Sequence, residues 1–257
     1  MAVLNLSLLE QLGHPIHYFA SIDTTMRAAA ELAERGEPAG AVVIAEEQTA
    51  GRGRLGRSWI SEPEAGLYFS LILRPALAAS DAAVVTLALG LAAGRAIHRL
   101  AGMPCDLRWP NDVLLTGRKC CGILTEMVAE ADRVRYIVAG IGVNVNHAAL
   151  PAAIAETATS LRLSTGCEYA REALLAEVLK EVDRYLDILA QRGPAAVVEL
   201  FTRASSYACG KRVVVVNGSE QITGSTAGIT AAGTLLLRRD DGAVAPILAG
   251  SVRLAPE

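Results

Sequence analysis

The stretch Gln48-Thr49-Ala50-Gly51-Arg52-Gly53-Arg54-Leu55-Gly56-Arg57-Ser58-Trp59 sets three glycines and three arginines between two apolar runs. Glycine lets a backbone fold closely over a ligand, and the planar fork of arginine suits carboxylate and phosphate oxygens. Together they describe a loop that clamps an anion and orders around it. A solvated basic turn, or an RNA contact of Arg-Gly-Gly type, draws on the same residue types. Two other phosphate-binding patterns are excluded. A dinucleotide fingerprint opens a helix and carries no arginine fork. A Walker loop needs a Gly-Lys-Ser/Thr ending that is missing here.

The flanking runs, 41–45 and 67–73, read as strands. Upstream lies a strand over 16–22, and Asp23 stands where it caps a helix running to about residue 36, with Met26, Ala29, Ala30 and Ala33 along one side. Downstream, 81–101 is a long buried helix, and 106–146 is strand-rich, with turns at Asp112, Thr116-Gly117 and Ala131-Asp132. Residues 146–157 form a connection. Leu174, Val178, Val182, Leu186 and Leu189 then mark a helix over 171–191, and Pro194 opens another to about residue 206. From Lys211 onward short strands punctuated by glycines suggest a small β-barrel of SH3-like size. The expected division is therefore a domain over 1–208 and a barrel over 209–257.

Composition narrows the function classes. The 257 residues are 52% hydrophobic and 20% charged, as in a globular protein, and a net charge of -3 gives no general attraction to nucleic acid. Aromatic residues make up only 4%, too few for an RNA-stacking surface around the basic loop. Five scattered cysteines with no zinc spacing point to buried thiols in a reducing cytosol, and the start of the chain lacks the basic segment of a signal peptide. The apolar stretch 82–93 is short for a bilayer, so a soluble cytoplasmic protein without membrane partners is expected.

Three further segments carry polar residues at strand ends. Arg108-Trp109-Pro110-Asn111-Asp112 offers a carboxylate suited to Mg²⁺ beside phosphate oxygens, though an ordinary Asn-Asp turn looks the same. Lys119, in Gly117-Arg118-Lys119-Cys120-Cys121-Gly122-Ile123-Leu124, stands at the mouth of an apolar strand, as surface lysines also do. Gly140-Ile141-Gly142-Val143-Asn144 alternates small and bulky residues, which suits a strand that a flat ring approaches, or a plain buried strand.

In this order the segments resemble the biotin protein ligase family. Its pattern runs Asp-Ser/Thr-Thr-Asn, Gln-x-x-Gly-Arg-Gly-Arg-x-Gly-Arg-x-Trp, Lys-Trp-Pro-Asn-Asp, Arg-Lys-x-x-Gly-Ile-Leu and Gly-x-Gly-x-Asn. The counterparts here are Asp23-Thr24-Thr25-Met26, Gln48 to Trp59, Arg108 to Asp112, Arg118 to Leu124 and Gly140 to Asn144. The resemblance continues through Thr159-Ser160-Leu161, Gly210-Lys211, Gly224, Gly233-Thr234-Leu235-Leu236 and Ala249-Gly250, and so covers nearly the whole chain.

The resemblance implies an α+β fold: a mixed β-sheet catalytic domain flanked by helices, class II synthetase-like and of biotin/lipoyl ligase type, plus a small C-terminal SH3-like β-barrel. It implies two steps, activation of biotin by ATP with Mg²⁺ to biotinyl-5′-AMP, then transfer to a lysine of a biotin carboxyl carrier protein of acetyl-CoA carboxylase. Neither step needs a covalent enzyme intermediate, consistent with only four histidines and no nucleophile–base arrangement. Carried over, the roles make Lys119, Arg52 and Arg54 catalytic. Thr24, Thr25, Gln48, Gly51, Arg52, Gly53, Arg54, Trp59, Lys119 and Gly122 would surround biotin. Arg54, Arg57, Trp109, Asn111 and Asn144 would meet the nucleotide, and Asp112 the metal.

Departures from the pattern are Met26 for asparagine, Arg108 for lysine, and Leu55 where some members have a further arginine. About twenty residues precede the first ligase motif, too few for the three-helix DNA-binding domain of the repressing members, so no DNA partner is expected. The family includes monomers and homodimers paired through the central sheet, and both remain open. The rival readings are a lipoate-protein ligase of the same superfamily and a non-catalytic biotin sensor.

Overall fold

The computed structural model describes residues 3–255. A short helix α1 (Leu6–Glu10) leads to strand β1 (Ile16–Ile22), helix α2 (Thr25–Glu34) and strand β2 (Val42–Gln48). Strand β3 (Gly66–Leu73) and the long helix α3 (Ala83–Ala101) follow, then β4 (Cys105–Arg108), β5 (Asp112–Leu115), β6 (Arg118–Glu130) and β7 (Arg133–Asn144). Two short helices, α4 (Ala152–Ala155) and α5 (Leu161–Thr165), precede α6 (Arg171–Arg192) and α7 (Pro194–Ala204). Strands β8 (Cys209–Asn217), β9 (Glu220–Ile229), β10 (Leu235–Arg238), β11 (Val244–Ile247) and β12 (Ser251–Leu254) complete the chain.

The first seven strands form one mixed sheet in the order β1-β2-β3-β7-β6-β5-β4. Only β1 and β2 are parallel, because α2 carries the chain across between them; the other neighbours pair antiparallel. The last five strands form an antiparallel sheet, β11-β10-β9-β8-β12, in which the final strand returns beside the first, as in SH3-like folds.

Side-chain alternation divides the central sheet into two faces. Leu67, Phe69 and Leu71 of β3 and Ile137, Ile141 and Val143 of β7 enter the main core with α3, α6 and α7. Helix α3 has the length and apolarity to cross a membrane, but 72% of its most apolar window is buried inside the protein. It ends at Gly102, whose φ of 69° only glycine adopts readily, with the Gly102 N–H on His98 O. On the opposite face Ile72, Tyr136 and Val138 meet Met26, Ala29 and Ala33 of α2.

Val213, Val215, Leu235, Leu237 and Val252 of the small sheet join the main core, so one hydrophobic cluster runs through both sheets. Trp109, 3% exposed, adds a polar tie, its Nε1 donating to Gly233 O at 2.8 Å.

Several boundaries differ from the sequence reading. The N-cap of α2 is Thr24 rather than Asp23, and Asp23 Oδ1 instead accepts from the Thr24 N–H at 2.7 Å. The stretch 146–157 contains α4, and Ser160 caps α5 by accepting from Leu163 N at 2.9 Å. Helix α1, capped by Asn5, offers little more than one turn, too short to show a helical period in the sequence.

Helix α6 is fastened by a buried ion pair at its first residue. Arg171 Nη1 lies 2.7 Å from Glu46 Oε2 and donates to Gly66 O at 3.0 Å, while Glu46 Oε1 accepts from the Leu4 N–H at 2.6 Å. Both side chains are almost wholly buried. Arg171→Met leaves a carboxylate stranded in the core and is expected to cost about 3–5 kcal/mol in urea unfolding. Glu46→Leu combined with Arg171→Met is expected to recover most of that loss; recovery of none would refute the charge explanation.

Candidate active site

The cavity lies on the α2 face of the central sheet, where three glycines replace side chains. Gly122 of β6 pairs with Gly142 of β7, and Gly140 pairs with Leu124. A Cβ on Gly142 would lie 2.5 Å from the Trp59 ring, one on Gly122 2.8 Å from both Trp59 and Lys119 Nζ, and one on Gly140 2.7 Å from Met26 Sδ. The floor is therefore flat because it must be: any larger residue collides with the groups above it.

At one end the start of α2 meets the end of β2. Gln48 Oε1 accepts from Thr25 N at 2.9 Å and from Thr25 Oγ1 at 3.1 Å. This fixes the amide so that Nε2 faces Ser61 Oγ at 3.3 Å. Thr25 Oγ1 also meets Ser70 Oγ at 2.8 Å, and Thr24 Oγ1 accepts from Met26 N. Thr24 and Thr25 are 3% and 2% exposed. Buried hydroxyl and amide groups held this firmly make a pre-formed polar end.

The glycine–arginine loop closes over the cavity as a compact hairpin. Trp59 N donates to Gly51 O at 2.9 Å and Gly53 N to Arg57 O at 2.7 Å, with Arg52 bridging to Ser58. A Cβ on Gly51 would lie 2.5 Å from Trp59 O, so this crossing requires glycine. Leu55 turns the tip with φ 58° and Gly56 with φ 72°. The closure brings the Trp59 ring onto the glycine floor, where Lys119 Nζ lies 5.4 Å from its centroid.

Lys119 reaches this face through a β-bulge. Cys121 pairs with Val113 but Lys119 pairs with Leu114, so the β5–β6 register shifts between them. The extra residue lets Cys120 and Cys121 both enter the main core and turns Lys119 back toward the cavity. Lys119 Nζ lies 2.5 Å from Asp112 Oδ1, while Arg108 donates to Asp112 Oδ2 at 2.7 Å. Burial would raise the Asp112 pKa, but Lys119 and Arg108 outweigh it and hold the carboxyl below the usual range.

Arg54 carries no ion pair among the described residues. Its Nη1 donates to Asn111 Oδ1 at 3.1 Å and more loosely to Gly250 O at 3.5 Å. Burial lowers its pKa from the usual guanidinium value, opposed by Asp112. Arg52 and Arg57 likewise make no ion pair among the described residues, leaving a cluster of cations free to take an anion.

Of the residues expected at the site, Thr24, Thr25, Gln48, Arg52, Gly53, Arg54, Trp59, Asn111, Lys119 and Gly122 line one cavity. Gly51 and Arg57 do not line it; together with Arg52, Gly53 and Arg54 they border an adjoining cavity. Trp109 is turned into the core and bonds the small sheet, and Asn144 is buried with Nδ2 on Thr159 O at 3.0 Å, so neither borders the cavity. Asp112, expected as a metal ligand, has both oxygens committed to Lys119 and Arg108. Among the described residues no group of three or more His, Cys, Asp and Glu side chains could hold a metal ion. The supporting hydroxyls of Ser61 and Ser70 were not singled out in the sequence, since serines carry no spacing signal.

Comparison with known proteins matches this geometry to a family. Residues 18–144 match the Biotin/lipoate A/B protein ligase family, and residues 208–254 match the Biotin protein ligase C terminal domain. The Bifunctional ligase/repressor BirA of Bacillus subtilis is 37% identical over 240 residues, covering 91% of this chain and 72% of that protein. The Biotin--[acetyl-CoA-carboxylase] ligase of Paracoccus denitrificans is 36% identical, over 85% of this chain and 92% of its own length. Among solved structures, the biotin protein ligase from Aquifex aeolicus in complex with biotin and ATP superimposes with a TM-score of 0.80 at 30% identity, covering 95% of this chain and 99% of that one. A bare-backbone floor, a polar end and a closing arginine loop thus occur in a chain that belongs to the biotin protein ligase family.

Proposed function

We propose that the protein activates biotin with MgATP to biotinyl-5′-AMP and transfers biotin to a lysine of a biotin carboxyl carrier protein. One observation carries this reading: a flat slot has buried amide and hydroxyl groups at one end and Lys119, Arg52 and Arg54 bordering it. A ureido ring can hydrogen-bond Thr24, Thr25 and Gln48, whereas the dithiolane of lipoate has no N–H or C=O with which to do so. The names of the Paracoccus denitrificans and Mycobacterium tuberculosis relatives, both Biotin--[acetyl-CoA-carboxylase] ligase, support the carrier protein as acceptor.

The obstacle to activation is bringing a carboxylate against a phosphate, which repel by about 4 kcal/mol at 4 Å with an effective dielectric of 20. Lys119 offsets that repulsion and the charge carried by the phosphoryl oxygens during in-line attack, and Arg52 assists. Asp112, itself fixed by Arg108, holds the lysine ammonium in place, so little reorganisation is needed when substrates arrive. Arg54, held by neutral acceptors, takes the adenylate phosphate without breaking an ion pair. Magnesium enters with ATP as part of the substrate; Asp112 does not suit it as a resident ligand while Lys119 and Arg108 occupy both oxygens.

Pyrophosphate release from MgATP, measured with biotin and with lipoate, tests the substrate assignment. Release with biotin alone is expected, and release with lipoate alone would overturn it. Lys119→Ala is expected to slow release by about 100- to 1000-fold, the usual effect of losing one transition-state donor. Arg54→Gly is expected to retain release but to let biotinyl-adenylate label bystander proteins such as serum albumin; labelling confined to the carrier would contradict its retaining role. Gly142→Val, which forces Trp59 off the floor, is expected to raise the KM for biotin about tenfold or more, the range of an overpacked site.

A further inference from the structure

Arg54 spans the seam between the central sheet and the small sheet. One acceptor, Asn111 Oδ1, belongs to the β4–β5 connection, and the other, Gly250 O, to the turn between β11 and β12. Asn111 is itself fixed by a two-way exchange with Ile123: its Nδ2 donates to Ile123 O at 2.8 Å, and its carbonyl accepts from Ile123 N at 3.0 Å. Two residues earlier, Trp109 grips the small sheet through Gly233 O. The segment 109–111 therefore holds the small domain with one residue and Arg54 with another, and Arg54 reaches back to the small domain. The contacts form a closed ring.

Gly250 is constrained to its place in that ring. Its φ is 143°, and a Cβ there would lie 2.7 Å from Val215 Cγ1 and 3.2 Å from Val216 O. The carbonyl that faces Arg54 is thus set by the packing of β8 against the turn. Both acceptors are neutral. They direct the guanidinium while leaving its charge available to an incoming phosphate.

We propose that Asn111 and the β11–β12 turn are positioning groups that act through Arg54, so that the small domain helps determine how long the activated intermediate is retained. This rests on the adenylate-forming reading of the site.

The test uses the full chain, loaded with biotinyl-adenylate from biotin and MgATP and then freed of small molecules. Escape of the adenylate is timed for wild type, Asn111→Ala, Gly250→Ala and Arg54→Ala, and for each of the first two variants combined with Arg54→Ala. Asn111→Ala is expected to speed escape by about tenfold to a hundredfold, the effect of removing one hydrogen bond to a charged group. Gly250→Ala, whose Cβ pushes the turn and its carbonyl off Val215, is expected to speed it in the same direction. In the Arg54→Ala background the same changes are expected to add nothing, because their partner is gone. Wild-type escape rates in both single variants, or effects that multiply with Arg54→Ala, would overturn the inference.

Should thermal melting show that Gly250→Ala unfolds the small domain, Trp109→Phe replaces it. That change removes the donor to Gly233 while keeping the ring packed, and it must show the same dependence on Arg54. A wild-type enzyme that releases no pyrophosphate with biotin would overturn the reading of the site and the inference with it. Normal activation with unchanged retention in the variants would overturn the inference alone.

Discussion

Where Gly122, Gly140 and Gly142 face α2, the sheet presents bare backbone, and Trp59, Met26 and Lys119 settle against it at distances no Cβ would tolerate. The remainder of the site is arranged around that patch. The arginine loop can fold down only because Trp59 has a flat surface to lie on, and Lys119 can approach only because Gly122 leaves room. The same strands carry Ile137, Ile141 and Val143 on their other face, so the rigidity of the floor comes from a fully packed core beneath it.

The charges follow a gradient of commitment. Glu46 and Arg171 are buried together and fix α6 to the sheet. Asp112 lies between Lys119 and Arg108, which orients the lysine while leaving it on the cavity side. Arg54 is held only by neutral oxygens, and Arg52 has no ion partner among the described residues. Structural charges are thus neutralised within the protein, Lys119 is oriented by its pair, and Arg52 and Arg54 are left for substrate oxygens, an arrangement that stabilises developing charge without rearrangement.

Much of this was legible in the sequence where spacing is strong. The apolar spacing over 171–191 sets the helix there, and the glycine–arginine stretch marks the loop that closes the cavity. What escaped depended on register or on which face a residue takes. Lys119 turns inward because of a bulge, and a bulge exists only between two particular strands. Trp109 belongs to the core because β4 is the outermost strand and the small sheet packs beside it, neither of which its own neighbours in sequence encode. That Asp112 meets two cations, Arg108 of β4 and Lys119 of β6, is likewise set by strand pairing rather than by its own sequence neighbours. Met26, a departure from the family pattern, makes a sulfur contact over Gly140, exchanging a hydrogen-bonding group for close packing.

The bulge beside Lys119 also bears on the enzyme's own chemical durability. An acyl-adenylate reacts with any accessible thiolate, and the two residues that follow the lysine are cysteines. Because the bulge sends both side chains to the far side of the sheet, Cys120 and Cys121 are 0% exposed. Burial, the largest influence on each, raises both thiols above their ordinary pKa. They are kept protonated and out of reach, so the protein can generate a potent acylating agent one residue away from its own sulfur without becoming the agent's first target.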